Sequence, residues 1–162
     1  MNLALDGVVV AIGGDHAGFP LKGKIAQYLE DEGAVVIDFG TDSEESVDYP
    51  LYCEPVGRAV ASGVATLGVV LGGSGQGEQI VANKVVGVRA ALCWNELSAR
   101  LARAHNDANV LALGARLLGD ELALAIVAAF VSGVFDGGRH ERRIAQIHQV
   151  EEGVSFVQNA SR

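Results

Sequence analysis

LGVVLGGSGQGEQIVANK, residues 67–84, decides the fold. Leu67-Gly-Val-Val-Leu71 is an apolar, β-branched run of strand length, and the segment from Gly77 to Lys84 reads as a helix. Between them Gly72-Gly73-Ser74-Gly75-Gln76-Gly77-Glu78 is a glycine-dense turn from a buried strand into a helix. Such a turn exposes consecutive backbone N–H groups at the positive end of the helix dipole, where anionic or strongly polar ligands bind. Ser74 and Glu78 are the side chains there with chemistry to offer. A carboxylate beside an anion-friendly turn suits proton transfer better than phosphate clamping, which points to an enzyme.

The common nucleotide loops do not fit this spacing. No GxxxxGK[ST] string occurs, and Glu78 stands where a dinucleotide fingerprint needs its third glycine. On its own, a glycine-rich turn can equally do no more than close a tight connection.

Apolar runs of strand length alternate with longer amphipathic segments on both sides of this unit. Strands are expected near Val8–Ile12, Ala34–Phe39, Leu67–Leu71, Val88–Leu92 and Val110–Leu113. Helices are expected near Phe19–Asp31, Tyr49–Ser62, Gly77–Lys84, Glu96–His105 and Asp120–Ser132, with a last one from about Arg139 to Glu151. Alternation of this kind implies an α/β protein with a parallel sheet covered on both faces and right-handed crossovers. Asp48 reads as a helix N-cap with Pro50 in the first turn behind it, whereas Pro55 should kink that helix or delay its start. At 162 residues, with no linker or repeat, residues 1–162 read as one domain.

Composition narrows the function. Apolar residues make up 49% of the chain and aromatics 6%, which suits helices packed through small side chains. The formal charge of −8 argues against nonspecific nucleic-acid binding, which needs a broad basic surface. Arg139, His140, Arg142 and Arg143 nevertheless form a local basic cluster, fit either for a small anion or for a solvated helix face. The two cysteines, Cys53 and Cys93, have neither CxxC nor zinc-ligand spacing and are expected to be free and partly buried. No leader-like segment and no apolar run of membrane-spanning length is visible, so the expected location is the cytoplasm, with no membrane partner.

Ligands of open parallel sheets bind beyond the carboxyl ends of the strands. The first strand exits into Gly13-Gly14-Asp15-His16, the third into the Gly72–Glu78 turn, and the fifth into Gly114-Ala115-Arg116. The fourth exits at Cys93-Trp94-Asn95, and the helix after it ends in His105-Asn106-Asp107. Each has an ordinary reading: Asp15 as a cap, His16 as a turn residue, Glu78 as a helix-dipole partner, His105 as a C-terminal cation, Arg116 as a solvated charge. Taken together they are expected to converge on one edge of the sheet. A pocket holding a carboxylate, a histidine, backbone donors and arginines fits proton shuffling on a phosphorylated substrate.

The chain resembles the RpiB/LacA/LacB sugar-phosphate isomerases, the family of ribose-5-phosphate isomerase B. The resemblance is carried by GGDHAGFPLK at Gly13–Lys22, DYP at Asp48–Pro50, LGGSGQGEQIVANK at Leu71–Lys84, ARAHNDANVLALGAR at Ala102–Arg116 and RHERRI at Arg139–Ile144. Gly14 and Pro20 depart from the residues usual at their positions, without removing a functional side chain. Many relatives carry cysteine where Ser74 stands and use it as the base; the Ser74/Glu78 pair resembles the actinobacterial branch, which implies that Glu78 takes that role.

The resemblance implies a three-layer α/β/α sandwich, Rossmann-like, with five parallel strands. It implies interconversion of ribose 5-phosphate and ribulose 5-phosphate, a step of the pentose phosphate pathway, or the same chemistry on a tetrose or hexose phosphate. Asp15 and His16 would contact the sugar, and the backbone of Gly73, Ser74, Gly75, Gln76 and Gly77 would line its reactive end. His105 would assist ring opening, Asn106 would bind sugar oxygens, and Arg116, Arg139 and Arg143 would bind phosphate together with His140. It further implies a homodimer in which the helix at about 139–151 reaches the partner's active site. No metal or cofactor is required for this chemistry. A phosphate- or nucleotide-binding module without catalysis is the competing reading, and it leaves Glu78 and His105 without a task.

Overall fold

The computed structural model describes residues 5–157. The chain runs β1 (Val9–Gly14), α1 (Phe19–Asp31), β2 (Val35–Asp38), α2 (Pro50–Ala61), β3 (Leu67–Gly72) and α3 (Gln76–Ala82). It continues through β4 (Ala90–Leu92), α4 (Glu96–Asn106), β5 (Val110–Gly114), α5 (Asp120–Val131) and α6 (Arg139–Glu151). All strand pairs are parallel, and the order across the sheet is β2-β1-β3-β5-β4. The expected α/β/α layering is what forms.

The central strands explain the two-sided cover. Every residue of β3 and β5 is buried, as continuous apolar strands must be when both faces are packed. On one face Leu21, Ile25 and Leu29 of α1 and Ile126 and Phe130 of α5, with the small Ala99 and Ala102 of α4, close over Ile12, Val69 and Leu111. On the other, Cys53, Val56 and Val60 of α2 and Ala82 of α3 close over Ala11, Val70 and Ala112. Both cysteines are free and fully buried rather than partly so. Among the described residues no helix is long and apolar enough to cross a membrane.

One local expectation at α2 is corrected. Tyr49, not Asp48, holds the N-cap position, and its backbone is already helical at φ −52, ψ −33 with no side-chain cap. Asp48 therefore sits one residue too early for its carboxylate to reach the first-turn N–H groups, and it offers its carbonyl to the Leu51 N–H at 3.2 Å instead. Pro55 lies inside the helix without delaying its start. The carbonyl that Pro55 leaves without an N–H partner belongs to the exposed Leu51, where water can serve it.

The chain leaves β1 for β2 on one side and reaches β3 on the other, so the sheet's switch point lies between the carboxyl ends of β1 and β3. A crevice forms at such a point. Gly13-Gly14-Asp15 and Gly72-Gly73-Ser74 are the segments that border it.

Candidate active site

Glu78 occupies the first turn of α3 and is buried at 4% exposure, an unusual place for a carboxyl group. Gly75 makes this possible. It caps α3 in the left-handed region at φ +78, and a Cβ there would lie 2.6 Å from Leu92 Cδ1. The Glu78 carboxyl folds back over the end of β3, so closely that a Cβ on Gly72 would stand 1.8 Å from Oε1. Burial raises the Glu78 pKa above the usual carboxylate range; its own N–H and that of Gly75 pull it down, and the negative charge of Asp15 pushes it up again. A carboxyl lifted in this way holds its proton more firmly than an exposed one, which suits a group that must both take and return a proton.

Asp15 is buried beside it, with Oδ1 accepting from the N–H groups of Ala17 at 3.0 Å and Gly18 at 3.2 Å. His16 accepts the Val47 N–H at Nδ1, 3.2 Å, so in the neutral ring Nε2 is the donor. Ser74 is exposed at the turn, and its Oγ accepts from the Gln76 N–H at 3.3 Å. Arg116 lies across the turn, with Nη1 3.3 Å from where a Gly73 Cβ would be. Asp15, His16, Ser74, Glu78, Arg116 and the Gly73–Gly77 backbone thus share the carboxyl edge of the sheet.

His105, Asn106, Arg139, His140 and Arg143 do not join them. A crossover helix runs back against its strands, so α4 delivers His105 and Asn106 to the amino edge, just before β5 begins. The five residues of β5 separate the two edges by roughly 16 Å. There His105 stacks on His140, with ring centroids 4.4 Å apart and planes within 7°. His140, buried, is held below the usual histidine pKa by desolvation and by His105, Arg139 and Arg143, against the opposing charge of Asp136. Arg139 and Arg143 are exposed beside it at the start of α6. The expected convergence on a single edge is corrected for His105 and Asn106: they lie with Arg139, His140 and Arg143 at the end of the sheet opposite Glu78.

His105, Asp136 and His140 bring three potential metal-ligand atoms within 4.8 Å of one another. Two parallel imidazoles, however, direct their in-plane lone pairs side by side rather than toward one ion. The pair fits an imidazole stack better than a metal centre.

The sequence reading missed Tyr49 as a site residue. Its ring packs on Gly77, with Cζ 2.5 Å from where a Cβ would be, and walls the turn from the side of α2. The DYP string was the signal, absorbed there into the start of a helix.

The ribose/galactose isomerase family model matches residues 10–147. The chain belongs to this family. Ribose-5-phosphate isomerase B of Escherichia coli (strain K12) is 46% identical over 143 residues, covering 88% of this chain and 96% of that protein. The structure of Clostridium thermocellum ribose-5-phosphate isomerase B superposes with a TM-score of 0.89 at 49% identity, over 91% of this chain and 100% of the other. Ribose-5-phosphate isomerase B from Mycoplasma genitalium, solved with bound ribulose-5-phosphate, gives 0.88 at 37% identity, over 92% and 99% of the two chains.

Proposed function

We propose that this protein interconverts ribose 5-phosphate and ribulose 5-phosphate through an enediolate, at an active site assembled from two chains. The buried Glu78 carboxyl, folded over the end of β3 at the switch point, carries this reading. Aldose–ketose interconversion moves a proton between C2 and C1, and Glu78 is the base that takes it. N–H groups of the Gly73–Gly77 turn, with Ser74, stabilise the oxygen on which charge develops. Asp15 and His16 orient the sugar hydroxyls.

The sugar phosphate is mostly a closed ring, which an acid/base group must open first. His105 has the chemistry for that, because histidine exchanges protons near neutral pH. It stands at the far edge of its own sheet, so the His105 that serves Glu78 comes from a second copy. With it come Asn106 for the sugar oxygens and Arg139, His140 and Arg143, which clamp the phosphate together with Arg116 of the first chain. The phosphate does not react; its capture is spent on alignment. Uncovered apolar side chains support docking of a second copy: Ile80 on α3, Leu97 and Leu101 on α4, and Ile147 and Val150 on α6 are 38–58% exposed. The reaction proposed belongs to sugar-phosphate metabolism, and with it we place the enzyme in the cytoplasm.

Incubation with ribose 5-phosphate tests the reading directly. Formation of ribulose 5-phosphate, with kcat/KM higher than for four- and six-carbon aldose phosphates, is the expected result. Binding without turnover would overturn it in favour of a non-catalytic phosphate-binding module.

A further inference from the structure

Asp107 is the one non-glycine residue among those described with a positive φ, +42, and it follows His105 and Asn106 directly at the end of α4. A left-handed conformation is unfavourable for a residue with a Cβ, although aspartate tolerates it better than most. Two arginines hold it there. Arg103 Nη1 donates to Oδ1 at 2.8 Å and to the Ala108 carbonyl at 2.7 Å. Arg89, entering from the start of β4, donates from Nη2 to Oδ2 at 3.2 Å and to the Asp107 carbonyl at 2.7 Å. Its Nε reaches the Asn106 carbonyl at 2.9 Å.

The Arg89 and Arg103 side chains are only 14–15% exposed, and that of Asp107 is 38% exposed, so these charge-assisted bonds are partly shielded from water. The Asp136 N–H adds a bond to the Ala104 carbonyl at 3.0 Å, tying the strap before α6 to the same turn. A helix C-terminus ordinarily frays. Here it is held by Arg103 of its own last turn, by Arg89 just before β4 and by the strap before α6, and the residues it carries are His105 and Asn106.

We infer that Asp107, bridging Arg89 and Arg103, is a positioning residue that fixes His105 for ring opening. The inference rests on the role of His105 given above. Asp107 touches no substrate; it acts by holding the last turn of α4 so that His105 stays stacked on His140.

A double-mutant cycle on kcat/KM for ribose 5-phosphate tests this in the dimeric enzyme, using Asp107→Ala, His105→Asn and the double variant. Asp107→Ala alone should lower kcat/KM roughly 10–100-fold, the effect of misplacing a reacting group by about 1 Å. In the His105→Asn background it should lower it by no more than about twofold, because the residue it positions is gone. Losses that multiply would overturn the inference and make Asp107 a general structural brace. Full activity of Asp107→Ala would overturn it as well. Full activity of His105→Asn would instead remove the assigned role of His105, and the inference with it. Should Asp107→Ala not fold, the same cycle with Asp107→Asn decides: the amide tolerates the left-handed conformation but pairs more weakly with the arginines, and its loss, roughly 3–10-fold, should likewise vanish without His105.

Discussion

Adding one methyl group at Gly72 should disable the enzyme without unfolding it. The new Cβ would lie 1.8 Å from Glu78 Oε1, 2.2 Å from Cδ and 2.8 Å from Oε2, whereas ordinary contacts begin at 3.4 Å. The carboxyl must therefore retreat by about 1.5 Å, and misplacing a reacting group by about 1 Å can lower turnover roughly 10²-fold. Gly72 is a strand residue opposite Gly114, outside the left-handed region, so alanine brings no backbone strain. We expect Gly72→Ala to lower kcat roughly 10²–10³-fold while far-ultraviolet circular dichroism stays that of the parent. Gly73→Ala is the internal control. Its Cβ meets only the end of the flexible Arg116 side chain, at 3.3 Å, and should raise KM by no more than a few-fold. A coupled assay of ribulose 5-phosphate formation separates the two effects. Near-normal kcat in Gly72→Ala would refute the placement of the base at Glu78.

Glu78→Gln should lower kcat roughly 10²–10⁴-fold with little change in substrate binding, measured by kinetics and calorimetry. The same variant should be the more heat-stable protein. The folded Glu78 binds its proton more tightly than the unfolded one, so stability falls as pH rises from the ordinary glutamate range through the raised value, and the amide escapes that loss. Its Tm advantage should therefore be larger at about pH 8 than at about pH 4. Gly75→Ala forces φ +78 on a residue with a Cβ and drives that atom to 2.6 Å from Leu92, so denaturant unfolding should show a loss of about 2–4 kcal/mol. His105→Asn should impair reaction with ribose 5-phosphate more than with its 4-deoxy analogue, which cannot close the furanose ring; equal loss on both would move His105 out of ring opening.

The fold was legible because the βα alternation is regular and the central strands are unbroken apolar runs. Phe19–Asp31 and Arg139–Glu151 form at the expected boundaries, and the others shift by a residue or two where strand ends and caps are set by tertiary contacts. Glu78 was legible from its glycine-rich turn, although its burial over Gly72 was not, because that depends on the fold-back of a side chain rather than on spacing. The edge on which His105 and Asn106 lie was not legible. Strand exits and helix ends were grouped at one edge, yet the helix after a parallel strand returns its last residue to the opposite edge, as α4 does with His105. The His105–His140 stack and the Arg89–Asp107–Arg103 bridge lay out of reach for another reason. They join residues from separate elements, and nothing in local sequence periodicity encodes such a meeting.

Subunit complementation tests most directly whether the active site spans two chains. Glu78→Gln and His105→Asn proteins, each almost inactive alone, are mixed in equal amounts and allowed to exchange subunits, with distinguishable tags confirming that they do. If His105 serves the partner's Glu78, each mixed dimer holds one doubly altered site and one intact site, and random exchange should restore about one quarter of the parent activity. If both residues serve their own chain, every site keeps one lesion. Verified exchange with no recovery of activity would contradict the shared site.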